Sequence, residues 1–591
     1  MKFTRILAFM LCFSVTLIIL KFILFTGLAW SVALLCATCC GLFGMCLPKV
    51  NNLNNIKADV VGDGQDGSAR FATEKEKNEY FTMCTDKSAN LAGFVVGRDA
   101  NNYIVDTQDT STTIIAPPGS GKTKCIFVPS IIYNAKVNVN TNGGGASIII
   151  TDLKGEELRT TGDVLVKSGY RLAVLDFAQP LNSCAYNILY NINRYIDSYK
   201  SSKEEKERII AYSKAERYAK VLAESIVDNV DGISKNEAGQ YFTETAKGLI
   251  TGMSLLVSEY GAEDERHILS VFRLIIELNG LTEESTQETQ RSKLSALLEY
   301  VDNERIINYV GPAMSADVRS SMNIFSSALG KLVAFIDAEL EQMLCYHSPE
   351  LSDISFIENP TAIFIICPDE NTTRHFFASL FIRYTMNDLI EQARTTDNVL
   401  KRKVLCFWDE FGNMPPIKNL DILLTAARSR QIRFLLALQS KSQLEKNYTA
   451  KMSEIVLDAA QCLMFTYVSP TAKDTARMFS DMLGQQTIKT GSVSLGNGLS
   501  QNNVNYQMKS RPLMYPDEII NMPKTHFIIC KGGQRASKVI APFYWDYCEK
   551  WQEYIIQPRT EPMRVIHYLT VAKIEKSSNP TPIDVYMGQF D

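Results

Sequence analysis

A chain of 591 residues that is 46% hydrophobic can bury a large core and hold more than one domain. Its net charge of −4 argues against a uniformly basic nucleic-acid coat, so any nucleic-acid contact must be confined to a channel or one face. The cysteines form no paired Cys-x-x-Cys units, and His267, His347, His375, His526 and His567 are dispersed. A dedicated zinc or histidine metal site is therefore not expected, and unpatterned thiols fit a reducing compartment for most of the chain.

Residues 6 to 48 are almost continuously apolar, broken by Lys21 and the Thr26-Gly27 pair. At about 20 residues per crossing this run suits two spans, near 5–26 and 28–48, joined by a tight turn. Lys2 and Arg5 lead in and Lys49 and Lys57 lead out, which places both ends on the cytoplasmic side, with Lys21 snorkelling to the far interface. The competing reading is a cleaved signal peptide with Ile6–Leu20 as its apolar core. The second apolar stretch directly behind it favours an uncleaved anchor. Residues 50 to 70 then read as a polar linker.

The β-branched run Thr112–Ile115 feeds Ala116-Pro117-Pro118-Gly119-Ser120-Gly121-Lys122-Thr123, with Lys124 and an apolar segment behind. That order is strand, phosphate-binding loop, helix. Glycines at 119 and 121 let backbone N–H groups curl around phosphate oxygens. Lys122 supplies a charge for β and γ phosphates, Thr123 a hydroxyl for Mg²⁺, and the helix its positive N-terminal dipole. Ala116 stands where the first glycine of the pattern usually sits, which costs little if its φ is negative. The Asn- and Gly-rich segment 136–146 reads as a surface loop, followed by strands at Ser147–Thr151 and Arg171–Asp176. The first of these ends in Asp152-Leu-Lys-Gly-Glu156, either lining a ligand crevice at the strand's carboxyl end or forming a solvated turn.

From about 190 to 345 strand-like runs vanish and helical periodicity takes over, as in Lys203–Val230, Tyr241–Tyr260 and Val318–Leu344. This is an all-helical insertion in an α/β domain. Strands resume at Thr361–Cys367, an amphipathic helix spans Arg374–Ala393, and Lys403–Trp408 carries Asp409 and Glu410 to a strand's end. There Asp409 suits the Mg²⁺ shell, and Glu410 suits orienting and deprotonating an attacking water. The strand Arg433–Leu438 ends in Gln439, placed to sense the γ-phosphate or the water. Arg428 and Arg430 close a short helix, Leu423–Ser429. They are either surface arginines or a finger reaching a neighbouring subunit's phosphates. Further strands are expected at Gln461–Thr466 and His526–Cys530, a mobile loop at 491–508, and an unstructured stretch at 577–582.

The assembled motifs, Ala-Pro-Pro-Gly-Ser-Gly-Lys-Thr, Asp-Leu-Lys-Gly-Glu, Cys184-Ala-Tyr-Asn-Ile188, Trp408-Asp-Glu-Phe-Gly412, Ser442-Gln-Leu444 and Arg511-Pro-Leu-Met-Tyr-Pro-Asp-Glu-Ile519, resemble the type IV secretion coupling proteins (TraG-like conjugative ATPases). The resemblance covers nearly the whole chain. It implies a RecA-like P-loop motor domain with an inserted all-α domain, preceded by a two-helix transmembrane hairpin. The expected division is a hairpin anchor at 1–49, a nucleotide-binding domain in two parts at 50–189 and 346–548, the all-α domain at 190–345, and a tail at 549–591. The resemblance further implies ATP hydrolysis with Mg²⁺ by Lys122, Thr123, Asp409, Glu410 and Gln439. Arg428 and Lys451 match positions that act across the subunit boundary of a homo-hexamer. It places the protein in the inner (plasma) membrane, in contact with its lipids and with type IV secretion channel components. From there it would deliver a relaxase with single-stranded DNA, or protein effectors, docked on the all-α domain. Two departures stand out: there is room for only a turn between the two spans, and no long acidic tail is present. A receptor platform for effectors alone is the first alternative. An FtsK-like translocase is the second, though 549–591 is too short for a DNA-reading module behind the motor.

Overall fold

The computed structural model describes residues 64–577, except 231–236, 283–291, 353–358, 368–371, 415, 495–502 and 557–562, together with residues 59–60 and helical pieces within 10–40. Most of the two expected spans lies outside the described residues, and no described helix is long and apolar enough to cross a membrane.

Uninterrupted apolar runs need burial on both faces, which only a parallel sheet covered by helices provides. The chain builds one from β5 (Thr112–Ile115), β6 (Ser147–Thr151), β7 (Arg171–Asp176), β8 (Thr361–Ile366), β9 (Val404–Trp408), β10 (Ile432–Leu438), β11 (Cys462–Phe465), β14 (His526–Lys531) and β15 (Ser537–Ile540). Their order is β15-β14-β11-β5-β10-β9-β6-β8-β7. Strands β11 through β7 in that order are parallel, and β14 and β15 add an antiparallel edge. A second, antiparallel sheet of β2 (Thr82–Cys84), β4 (Asn102–Asp106) and β3 (Phe94–Asp99) packs on the helix that follows the phosphate loop.

That helix, Val128–Asn140, corrects the expectation of a loop from 136. Its asparagines stay helical because each finds a partner. Asn134 bonds the Gly93 carbonyl at 2.8 Å and accepts its N–H at 3.2 Å; Asn138 Nδ2 donates to Ser168 O at 2.8 Å; Asn140 Nδ2 donates to Asp86 O and Ala89 O. Asparagine signals a turn only when its side chain must satisfy its own backbone.

From Tyr190–Ser201 to Ala338–Leu344 every described element is helical, apart from an isolated bridge between Leu281 and Ser292. The expected continuous helix 318–344 is broken into Val318–Leu332 and Ala338–Leu344. Asp337 is the reason. Its Oδ1 accepts the N–H groups of Glu339 and Leu340, starting a new helix, and its Oδ2 takes Arg374 at 2.8 Å.

The described parts of the tail, 549–556 and 563–577, pack against the rest of the chain. Trp551 Nε1 donates to Thr160 O at 2.7 Å, and the Tyr554 ring lies over Gly162, where a Cβ would stand 2.6 Å from the ring. Farther on, Gln342 and the Arg564 backbone bond in both directions, Tyr346 donates to Val565 O, and Leu569 and Ile574 are buried. The tail thus straps the helix Glu156–Lys167 on one side and the helical domain on the other. Residues 578–582 lie outside the described part.

A separate compact unit holds β1 (Asp59–Val60) against β12 (Gln485–Ser494), which neighbours β13 (Asn503–Pro512). Strands therefore occupy much of the expected mobile loop 491–508, and 495–502 lies outside the described residues. Alternation of threonine, isoleucine, valine and polar residues, obscured by the Ser/Asn/Gln content, accounts for these strands.

One buried acid joins the helical domain to the motor. Asp388, on the helix Thr372–Arg394, accepts from Asn191 Nδ2 at 2.9 Å and from the Tyr218 hydroxyl. Burial, only partly opposed by Arg194, raises its carboxyl to about 6. A raised carboxyl stabilises the fold fully below its unfolded value of about 3.9, and that stability is lost as pH rises through about 6. Asp388→Asn removes the dependence, and the partnerless Asn191 Oδ1 can turn to receive the new amide. The variant is expected to match the wild type near pH 4 and to exceed its stability near pH 7.5 by on the order of 2–3 kcal/mol, measured by calorimetry across pH.

Candidate nucleotide site

β5 is fully buried and delivers Ala116, whose N–H donates to Leu438 O at 2.9 Å, to the carboxyl edge of the sheet. Ala116 does not adopt a positive φ, so its methyl group is tolerated. Gly119 and Gly121 do, at 72° and 88°, where a side chain would be strained. Pro117 and Pro118 shape the loop's entry, and Ser120 is buried inside it with its Oγ unpartnered. Lys122 is only 6% exposed, and among the described residues it has no carboxylate partner. A buried ammonium without an anion is costly unless an anionic ligand completes it.

The loop passes into a widened first turn, Thr123–Phe127, in which Val128 N–H reaches back to Thr123 O. Pro129 follows at once, and its missing N–H removes one ordinary helical bond there. On that turn the Thr123 hydroxyl donates to Asp409 Oδ2. The two segments singled out by sequence therefore meet, although β10 stands between β5 and β9. Asp409 is nearly buried, and Thr151 Oγ1 donates to its carbonyl at 3.3 Å.

Glu410 has a positive φ of 51° and donates its N–H to Asp409 Oδ1 at 2.9 Å. Its Oε2 accepts from Asn413 Nδ2 at 3.0 Å. Asn413 Oδ1 takes Gln443 Nε2 at 2.6 Å, and Gln443 Oε1 accepts the Gln439 N–H at 2.9 Å. A continuous polar chain thus ties the strand-end glutamate to the end of β10. Gly412 lets it pass, since a Cβ there would stand 2.4 Å from the Gln443 side chain. Sequence reasoning missed Asn413 and noted Gln443 only within a signature.

Asp152 does not simply face solvent: its two oxygens accept the N–H groups of Glu156 and Leu158, starting the next helix. Glu156 pairs with Lys124 at 3.1 Å. Glu157, unnoticed in the sequence, is buried. Desolvation first, then the Asp152 and Asp409 carboxylates, hold it well above the usual glutamate range. Arg428 ends the helix Leu420–Arg428, and Lys451 opens the helix Ala450–Ala460; both are exposed. Among the described residues neither bonds to the loop, Asp409 or Glu410. Arg430 turns back onto Ala426 O at 2.6 Å.

This arrangement, a phosphate loop facing strand-end acids across one intervening strand, coincides with a match over residues 65–567 to the family described as type IV secretory system conjugative DNA transfer. The chain belongs to that family. Within it, the chain is 23% identical over 529 residues to the conjugal transfer protein TraG of Escherichia coli, covering 84% of this chain and 76% of that one. It is 24% identical over 331 residues to the type IV secretion system-coupling protein VirD4 of Bartonella quintana (strain Toulouse), covering 54% and 49%. The unbound bacterial conjugative coupling protein TrwB, lacking its N-terminal segment, superposes with a TM-score of 0.53 at 16% identity, over 86% of this chain and all of that one. TrwB in complex with ADP and Mg²⁺ gives 0.51 at 15%, over 83% and 95%. These structural likenesses show that the chain shares its α/β fold with TrwB.

Proposed function

We propose that this member of the conjugative DNA transfer family is a membrane-anchored ATPase. It would recruit relaxase-bound DNA, or protein effectors, and hand them to a type IV secretion channel as ATP is hydrolysed. The observation that carries the reading is the Thr123–Asp409 contact beside the buried Lys122. Two hard oxygen donors meet there next to an uncompensated cation, a donor set that fits Mg²⁺ and a polyphosphate. TrwB, of the same fold, has been solved with an ATP analogue and with ADP and Mg²⁺.

In this reading Thr123 and Asp409 hold Mg²⁺, which when bound neutralises charge on the β and γ phosphates. The loop amides from Gly119 to Lys124 cradle the phosphates, and Lys122 stabilises charge developing on the γ-phosphoryl group. Glu410 orients the attacking water and accepts its proton, while Gln439 senses the same position. Arg428, exposed and unattached to its own site, reaches a neighbour's phosphates in a homo-hexamer, and Lys451 acts across the same subunit boundary. Residues 1–49 anchor the assembly in the inner membrane, and the helical domain receives the substrate.

Asn413→Ala leaves Glu410 without its amide partner and is expected to lower turnover by about tenfold, since hydrogen bonds to charged groups contribute roughly 1.5–3 kcal/mol. Steady-state hydrolysis checks this. The reading as a whole is tested with the purified full-length chain. Hydrolysis should rise with single-stranded DNA, that stimulation should weaken with added salt as counterions compete, and hydrolysis should vanish in Lys122→Ala. Equal rates with and without DNA would remove the DNA-translocating part.

A further inference from the structure

Beside the phosphate loop lies an aromatic ladder that none of the roles above uses. After β15 the chain turns through Phe543, Tyr544 and Trp545. The Phe543 ring lies against the loop backbone, for a Cβ on Gly121 would stand 2.9 Å from its Cε1. Phe543 and Trp545 are nearly parallel, with centroids 4.6 Å apart and planes 9° from each other, and Tyr544 meets Trp545 edge-on at 5.0 Å. Trp545 is nevertheless 48% exposed. Lys124, the last loop residue, holds its Nζ 5.5 Å from the indole centroid and is itself paired with Glu156.

A half-exposed indole backed by a second, parallel ring and set beside the phosphate loop offers a flat face on which a planar group can stack. The phosphate chemistry sets its relation to the ligand. Lys122, Thr123 and Asp409 serve the β and γ end of a triphosphate, so the α-phosphate, sugar and base leave the loop on another side. The ladder lies against Gly121 and Lys124.

Resting on the nucleotide reading above, we propose that Trp545, backed by Phe543, is the stacking platform for the base of a bound purine nucleotide. Stacking needs only a π-face, so an indole tolerates changes at the base's edge. The site should therefore hold adenine and guanine nucleotides with similar affinity, and pyrimidine nucleotides, with a smaller ring, less well.

Calorimetric titration of the full-length chain with ADP, and separately with inorganic tripolyphosphate, tests this. In Trp545→Ala the ADP affinity should fall roughly 5- to 100-fold, Trp545→Phe should keep most of it, and tripolyphosphate should bind all three proteins alike. Unchanged ADP affinity in Trp545→Ala overturns the platform. So does an equal loss for tripolyphosphate, because the indole would then support the loop and not the base. If wild type binds neither compound, or Lys122→Ala binds both as well as wild type, the nucleotide reading itself fails.

Discussion

Glu410→Gln is expected to lower ATP turnover by roughly 10²–10⁴-fold, the usual contribution of a positioned general base, while ADP still binds within a few-fold of wild type. The geometry separates the two effects. Glu410 stands off the end of β9, in a backbone conformation that non-glycine residues seldom adopt, and its carboxylate bonds to Asn413 and not to the loop. Glutamine keeps that amide contact but cannot accept a proton from water. Lys122→Ala should behave differently, losing nucleotide affinity together with turnover, because Lys122 is buried within the phosphate cradle. Parallel measurement of turnover and ADP binding distinguishes them. A Glu410→Gln protein that hydrolyses ATP at the wild-type rate would remove Glu410 from the chemistry.

The largest expected loss of stability lies far from the nucleotide site, in Asp106→Ala. Asp106, at the end of β4, is fully buried and receives Lys531 Nζ at 2.9 Å on both oxygens, with Arg433 at 3.8 Å. Arg433 also donates to Thr110 O and Asp106 O and lies 4.7 Å above the Phe94 ring. The cluster joins β4 of the small sheet to β10 and β14 of the large one. Removing this acid leaves the buried Lys531 without its carboxylate and takes from Arg433 the stronger of its two acidic neighbours, Asp106 and Asp109, and breaking such a network costs about 3–5 kcal/mol. Asp106→Leu combined with Lys531→Met and Arg433→Met is expected to recover most of that loss, because apolar packing can replace a buried ion network. Thermal unfolding of the two variants tests both statements.

Much of the motor was legible in local pattern. β5, β6 and β7 lie where their β-branched runs placed them, and β9 and β10 begin within a residue of expectation. The phosphate loop was legible because only glycine serves at 119 and 121. The helix through Asn138 and Asn140 and the break at Asp337 were misread. Asn138 relies on Ser168, distant in the chain, while Asp337 caps a new helix with its Oδ1 and holds the distant Arg374 with its Oδ2. The tail's bonds to Thr160 and Gln342 also join segments far apart in sequence. The small sheet β2–β4 escaped notice because its strands are short and separated by polar turns.

The sequence by itself determined the glycine-bearing loop at 119–121 and the strands that lead to it and to Asp409, since φ preference and strand periodicity are local properties. Tertiary structure alone decided that β10 lies between β5 and β9, bringing Thr123 to Asp409 across 286 residues. It also decided that Asn413 and Gln443 restrain Glu410, and that Trp545 flanks the loop. Those contacts follow from strand order and from the packing of distant segments, and no local period encodes either.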